Sequence, residues 1–167
     1  MQPIALRHAL LALACLATPL AFAQEVLETV KVTITGGPNS GTHEATGTRG
    51  GCSAGMTGPG SFGNQLSDPK DKDKAKLNSV QLVVPDAKKA AAGSGEFFVL
   101  VAFGPLMARG AEYTIDTQPT SPKKRGSGKV TVQDSGKTAT VTFSGTTAEG
   151  VKLDGRIDCR SVIRNAG

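Results

Sequence analysis

The sequence predicts an all-β fold, namely a single-domain antiparallel β-sandwich. A small β-barrel is the alternative. Three observations lead to the prediction of an all-β fold. Apolar and polar residues alternate through several short segments, which is the period of strands with one buried face. Clusters of Gly, Pro, Asn and Ser separate those segments. Only one short segment is suited to a helix. We therefore expect seven or eight short strands in two packed sheets.

The C-terminal third shows the alternation most clearly. Residues 129–162 are predicted to form three antiparallel strands that end at Cys159. Turns at residues 134–136 and 146–150 connect them. The positions expected to face the core are Val130 and Val132, then Ala139, Val141 and Phe143, then Val151, Leu153, Ile157 and Cys159. Because Cys159 shares the parity of the apolar positions before it, its sulfur should point into the core.

Five further strands are predicted upstream. They cover residues 25–35, 42–48, 77–84, 96–103 and 111–117. The polar second segment is expected at a sheet edge, and the wholly apolar fourth segment at the centre of a sheet. Asp86 is predicted to cap a short helix over residues 87–92, which Gly93 closes.

The glycine-dense segment of residues 50–64 is predicted to be a long irregular loop. Its glycines and Pro59 disfavour regular structure. We expect Phe62 and Met56 to pack inward and hold the loop, and Cys52 to anchor its start.

The N-terminus predicts export. Arg7 and His8 precede a short apolar run, and Ala21-Phe22-Ala23 resembles a signal peptidase site. We therefore expect a signal peptide at residues 1–23 and a secreted β domain at residues 24–167, located in the periplasm or outside the cell. The apolar run is too short for a retained transmembrane segment. Lipidation at Cys15, after Leu13 and Ala14, is the alternative.

The domain keeps two cysteines, Cys52 and Cys159, once Cys15 leaves with the signal peptide. An even number of cysteines in an oxidising compartment favours a disulfide, and two cysteines allow one intramolecular pairing. A bridge that closes a loop of roughly 100 residues is worth about 4–5 kcal/mol in the chain-entropy account. Aromatic residues make up only 4% of the chain, so the core is thin and this contribution matters.

The candidate motifs for chemistry are weak. Residues 58–63 match the letters GxGxxG, but Pro59 removes an amide and no helix is expected to follow, so no dinucleotide site is predicted. His43 is the only histidine of the predicted mature chain, which disfavours metal sites and catalytic triads. Lysines interleave Asp68, Asp71 and Asp73, which disfavours calcium. We predict no catalytic residue, no metal and no cofactor.

One concentration of positive charge lies in residues 122–129, with Lys123, Lys124, Arg125 and Lys129. These four side chains are the predicted contact with an anionic partner, either an anionic envelope surface or an envelope protein. No aromatic residue is interleaved with them, so nucleic acid is not expected as a partner. Sugar binding is also disfavoured, because sugar-binding modules usually present flat aromatic side chains and Tyr113 is the only Tyr or Trp.

Together these features favour a non-enzymatic secreted or periplasmic β-sandwich protein, held by a disulfide, with a binding or structural role in the cell envelope. Two alternatives remain open. One is a small-ligand carrier or a hydrolase with a site near His43 and residues 50–62. The other is a lipid-anchored envelope protein.

Overall fold

The computed structural model describes residues 25–68, 72–93, 95–105, 108, 110–118 and 126–165. The predicted signal peptide and Cys15 lie outside this part of the chain. The described residues form β1 (Glu28–Thr35), β2 (Gly41–Gly47), β3 (Gly50–Ala54), β4 (Phe62–Ser67), β5 (Leu77–Val84), α1 (Ala87–Ala91), β6 (Phe98–Phe103), β7 (Glu112–Asp116), β8 (Ser127–Asp134), β9 (Ala139–Thr146), β10 (Lys152–Cys159) and β11 (Val162–Arg164).

The strands form two separate sheets. The first sheet has the order β2-β1-β10-β9-β8, and every pairing in it is antiparallel. The second sheet has the order β11-β3-β4-β5-β6-β7, and it is antiparallel except for the pair of β11 with β3. Because the described strands form two ladders and not one closed ladder, the fold is the predicted β-sandwich and not the alternative small barrel.

Alternating side chains of both sheets fill the space between them. In β1 the inward positions are Val30, Val32 and Ile34, all buried, while Lys31 and Thr35 are exposed. Each fully buried Val, Leu or Ile contributes about 1.5–3 kcal/mol relative to an exposed position. Few rings take part, and the three largest fully buried side chains are Phe62, Phe97 and Phe103.

Most of the predicted elements are confirmed. The three antiparallel strands of the C-terminal third are β8, β9 and β10, and Cys159 is buried as its parity predicts. The polar strand β2 lies at a sheet edge as predicted. The apolar strand β6 is an internal strand of the second sheet, but it lies beside the edge strand β7 and not at the predicted centre. Asp86 caps α1, since its carboxylate accepts hydrogen bonds from the backbone N–H groups of Lys88 and Lys89.

The prediction of an irregular loop over residues 50–64 was wrong. Strands β3 and β4 occupy much of this segment and pair with each other, and β3 also pairs with β11. Gly50 and Gly51 have φ angles of +81° and +100°, a conformation that glycine adopts without strain. Pairing with Leu66 and Gln65 of β4 therefore outweighs the poor strand propensity of glycine at these two positions, and β11 adds a second neighbour to β3 from Cys52 onward.

Two smaller expectations also failed. The strand count was too low, because β3, β4 and the short β11 were not anticipated. Phe62 is buried as predicted, but Met56 is exposed, since it lies in the turn between β3 and β4 on the outer side of the second sheet.

Candidate functional site

The predicted disulfide between Cys52 and Cys159 is present and joins the two sheets. Cys52 lies on β3 of the second sheet and Cys159 at the end of β10 in the first sheet, with their Cα atoms 5.9 Å apart. Their exposed fractions are 1% and 3%. An external thiol has no access to sulfurs buried to this degree, so the geometry fits a structural bridge and not a reactive one.

Beside the bridge lies a buried carboxyl group that the sequence analysis missed. Glu28 begins β1 and points inward, so it is fully buried. Its neighbours on β2 and β10 are Gly47 and Cys159. Gly47 leaves space for the carboxyl group, because a Cβ atom there would lie 2.6 Å from Glu28 Oε1. One signal was visible in the sequence, because Glu28 has the same parity as Val30 in the alternating pattern.

The Glu28 carboxyl group contacts the second sheet through two residues. Asn64 on β4 donates a hydrogen bond from Nδ2 to Glu28 Oε2. The same oxygen lies 3.8 Å from Cys52 Sγ. Since a disulfide sulfur carries no hydrogen, only a protonated Glu28 can be the donor in that contact. The bridge, Glu28 and Asn64 thus form one polar cluster between the sheets.

The electrostatics of this cluster favour the neutral acid. Burial raises the pKa of Glu28 from 4.5 to about 7. No ion pair with Glu28 occurs among the described residues. Among the residues that the structure describes, its Oε1 atom and the Oδ1 atom of Asn64 are buried without a hydrogen-bond partner. An ionised Glu28 would therefore be an unpaired charge in the core, which is costly.

His43, the centre of the carrier or hydrolase hypothesis, has contacts that are structural. Its ring packs edge-on against Phe103 with the centroids 4.8 Å apart, and Nε2 lies 2.8 Å from the backbone oxygen of Asn39. The adjacent Glu44 points outward and pairs with Lys31 at 2.8 Å. Within the part of the chain that the structure describes, no acidic side chain is bonded to His43, and no His, Cys, Asp and Glu cluster of three or more could hold a metal ion.

An apolar groove lies on the outer face of the second sheet and has a volume of about 270 Å³. Met56, Ile163 and Val83 contribute its apolar walls, and Gln65 and Gln81 also line it. Gly51 and Gly63 have no side chain, so the backbone of β3 and β4 forms the floor. Residues 50–62, which the sequence singled out, form part of the lining of this groove, β4, β5 and β11 supply the rest, and His43 is not among the lining residues.

The predicted anionic contact is only partly within the described residues. Lys129 is exposed on β8, at the outer face of the first sheet. Lys123, Lys124 and Arg125 lie outside the described residues, so their role stays a prediction.

No protein family, no curated protein and no solved structure matches this chain. Among the described residues, no helix has the length and apolar character needed to cross a membrane. The groove, the buried cluster and the charged surface are therefore the features from which a function can be inferred.

Proposed function

We propose that this chain is an exported, non-enzymatic β-sandwich domain of the cell envelope that binds an uncharged, apolar segment of an envelope protein in its groove. The observation that carries this proposal is the position of two side chains. Met56 and Ile163 are the large hydrophobic residues exposed among those described, at 66% and 56%, and both line the groove. Scattered exposed apolar residues need no explanation, but their convergence in one concavity is typical of a binding site.

The lining of the groove indicates the chemistry of the partner. It consists of Gly, Ser, Thr, Asn, Gln, Cys, Met, Phe, Leu, Val and Ile, without a charged residue. A charged partner group would lose its hydration there and gain no ion pair. An apolar segment gains about 25 cal/mol for each Å² of apolar surface removed from water.

Export and the absence of catalysis are supported by separate features. The disulfide fits an oxidising compartment, as the predicted signal peptide does. His43 is engaged with Phe103 and a backbone carbonyl, which leaves the hydrolase alternative without a converging acid and base among the described residues.

A photocrosslinking amino acid at Gln65, in the groove, tests the proposal in the exporting cell. We expect it to give a discrete adduct with an envelope protein. Changing Met56→Asp and Ile163→Asp together should remove that adduct, because each carboxylate would need to be dehydrated on binding. Both side chains are exposed, so the melting temperature should change little.

The matched control carries the same photocrosslinker at Gln133, an exposed position on β8 in the first sheet. If Gln65 and Gln133 gave the same adducts, or if the two Asp substitutions left the Gln65 adduct intact, the groove would not be the binding site.

A further inference from the structure

The geometry points to a second binding site, a cleft on the outer face of the first sheet that takes an acidic glycan, meaning a sugar chain that bears carboxylate groups. The cleft has a volume of about 360 Å³, and it lies on a different sheet from the apolar groove. The inference goes beyond the proposed function and does not depend on it.

The strand register places the cleft side chains in two neighbouring rows across β1, β10, β9 and β8. The first row is Lys31, Arg156, Thr142 and Thr131, and the second row is Thr33, Asp154, Ser144 and Lys129. With strands about 4.8 Å apart, four strands span roughly 14 Å, and rows two residues apart lie roughly 7 Å apart. This footprint suits a short oligosaccharide.

Three cations give the cleft its preference for an anion. Lys129 has no ion-pair partner among the described residues. Lys31 and Arg156 pair with Glu44 and Asp158, but both cations are more than half exposed in these pairs. An exposed pair such as Lys31 with Glu44 contributes little, so Lys31 can reorient toward a bound carboxylate at small cost. Arg156 stays in place, because its Nε and Nη2 atoms both bond to the Asp158 carboxylate, at 2.8 and 2.7 Å.

The remaining groups favour a polyhydroxylated ligand over a simple anion. Thr33, Thr131, Thr142 and Ser144 offer hydroxyl groups that can donate or accept hydrogen bonds, and Thr131 and Thr142 already bond to each other at 2.6 Å. Asp154 would repel a bare anion, but its carboxylate accepts hydrogen bonds from sugar hydroxyls. Cations, hydroxyls and one acid in the same cleft thus match a ligand that carries both charge and hydroxyl groups.

The same composition argues against neutral sugars. Neutral glycans are usually held by stacking on aromatic faces. The chain has no Trp, and its one Tyr, Tyr113, is buried between the sheets. Recognition at this cleft must therefore come from charge and hydrogen bonds, and it should weaken as salt rises.

Calorimetric titration with galacturonic acid oligomers tests the inference. We expect these oligomers to bind, and maltodextrin oligomers and inorganic phosphate to bind at least about tenfold more weakly, because each lacks one of the two chemistries. Lys129→Gln should weaken binding by about tenfold, the effect of losing one charge-assisted hydrogen bond. Asp154→Ala should also weaken binding of the oligomers, because a hydrogen-bond acceptor for the sugar hydroxyls is lost. If the cleft bound only the negative charge of the ligand, removal of the Asp154 carboxylate would instead strengthen binding.

Lys137→Gln is the matched control, because it removes the same charge from an exposed residue in the turn at the other end of the β8–β9 hairpin. It should leave affinity within about twofold of the wild type. The inference is overturned if the wild type does not bind the acidic oligomers, if Lys137→Gln and Lys129→Gln reduce affinity equally, or if Asp154→Ala leaves affinity unchanged or strengthens it.

Discussion

Removal of the inter-sheet bridge by Cys52→Ala with Cys159→Ala is expected to lower the free energy of unfolding by about 4–5 kcal/mol. The bridge joins residues separated by 107 positions, and a loop of that length gains much conformational entropy in the unfolded chain when it is opened. Alanine is preferred to serine because both positions are buried, and a serine hydroxyl there would need a new hydrogen-bond partner and would add its own cost.

Urea denaturation followed by circular dichroism measures this loss. The paired control is wild type that is reduced while unfolded in urea and then refolded with the reducing agent present. Its stability should approach that of the double variant, and the same treatment should leave the variant unchanged. A loss below about 1 kcal/mol would show that the apolar core alone holds the two sheets together. It would contradict the expectation that the bridge stabilises the fold by restricting the unfolded chain.

The second large effect expected is a fall in stability as the pH rises from about 5 to about 8, caused by Glu28. Its pKa is 4.5 in the unfolded chain and about 7 in the fold, so the folded state binds more protons across that interval. Stability contributed by the protonated Glu28 is therefore complete below about pH 4.5 and is lost as the pH approaches and passes 7. At 1.36 kcal/mol for each pKa unit, the loss reaches about 3 kcal/mol.

Urea titrations at half-unit pH steps, on the wild type and on Glu28→Gln, measure this dependence. Gln cannot ionise, so its stability should be nearly constant over the interval and should exceed that of the wild type at pH 8. Glu44→Gln is the matched control, since Glu44 is exposed and points away from the core. Glu44→Gln should keep the pH dependence of the wild type. If Glu28→Gln also kept it, Glu28 would not be the cause of the fall in stability.

The contribution of Asp158 to stability lies outside this interval. The hydrogen bond from Arg156 lowers the pKa of Asp158 below 3.8, so its contribution is lost as the pH falls through that lower range. The two effects have opposite signs and separate pH ranges. A stability maximum near pH 4.5 is the combined expectation.

The architecture was largely predictable because its strongest signal is local. The alternation through Val130, Val141 and Leu153 assigned three adjacent strands, and the shared parity of Cys159 placed its sulfur in the core. With Cys15 assigned to the predicted signal peptide, the two remaining cysteines allowed a single pairing, which the structure contains. Each of these inferences depends either on the two-residue period of a strand or on the number of cysteines. Both can be read from the sequence without knowledge of distant contacts.

The candidate sites were less predictable because they depend on which strands become neighbours. Lys129 was singled out for its charge, but its place beside Ser144 and Asp154 follows from the register of three strands. Met56 was expected to pack inward, yet it is exposed because the glycine-rich residues around it form paired strands and a turn. Nothing in the local sequence specifies those pairings.

The sequence by itself determined that this chain forms an all-β domain with one disulfide, because strand periodicity and cysteine count are properties of the chain alone. Only the tertiary structure decided that β3 and β4 form in a glycine-rich segment, that Glu28 becomes a buried acid with a raised pKa, and that two outer faces carry concavities of opposite character. The physical reason is that hydrogen-bonded pairing and desolvation are fixed by the partner across the sheet or across the core, and that partner lies tens of residues away in the sequence.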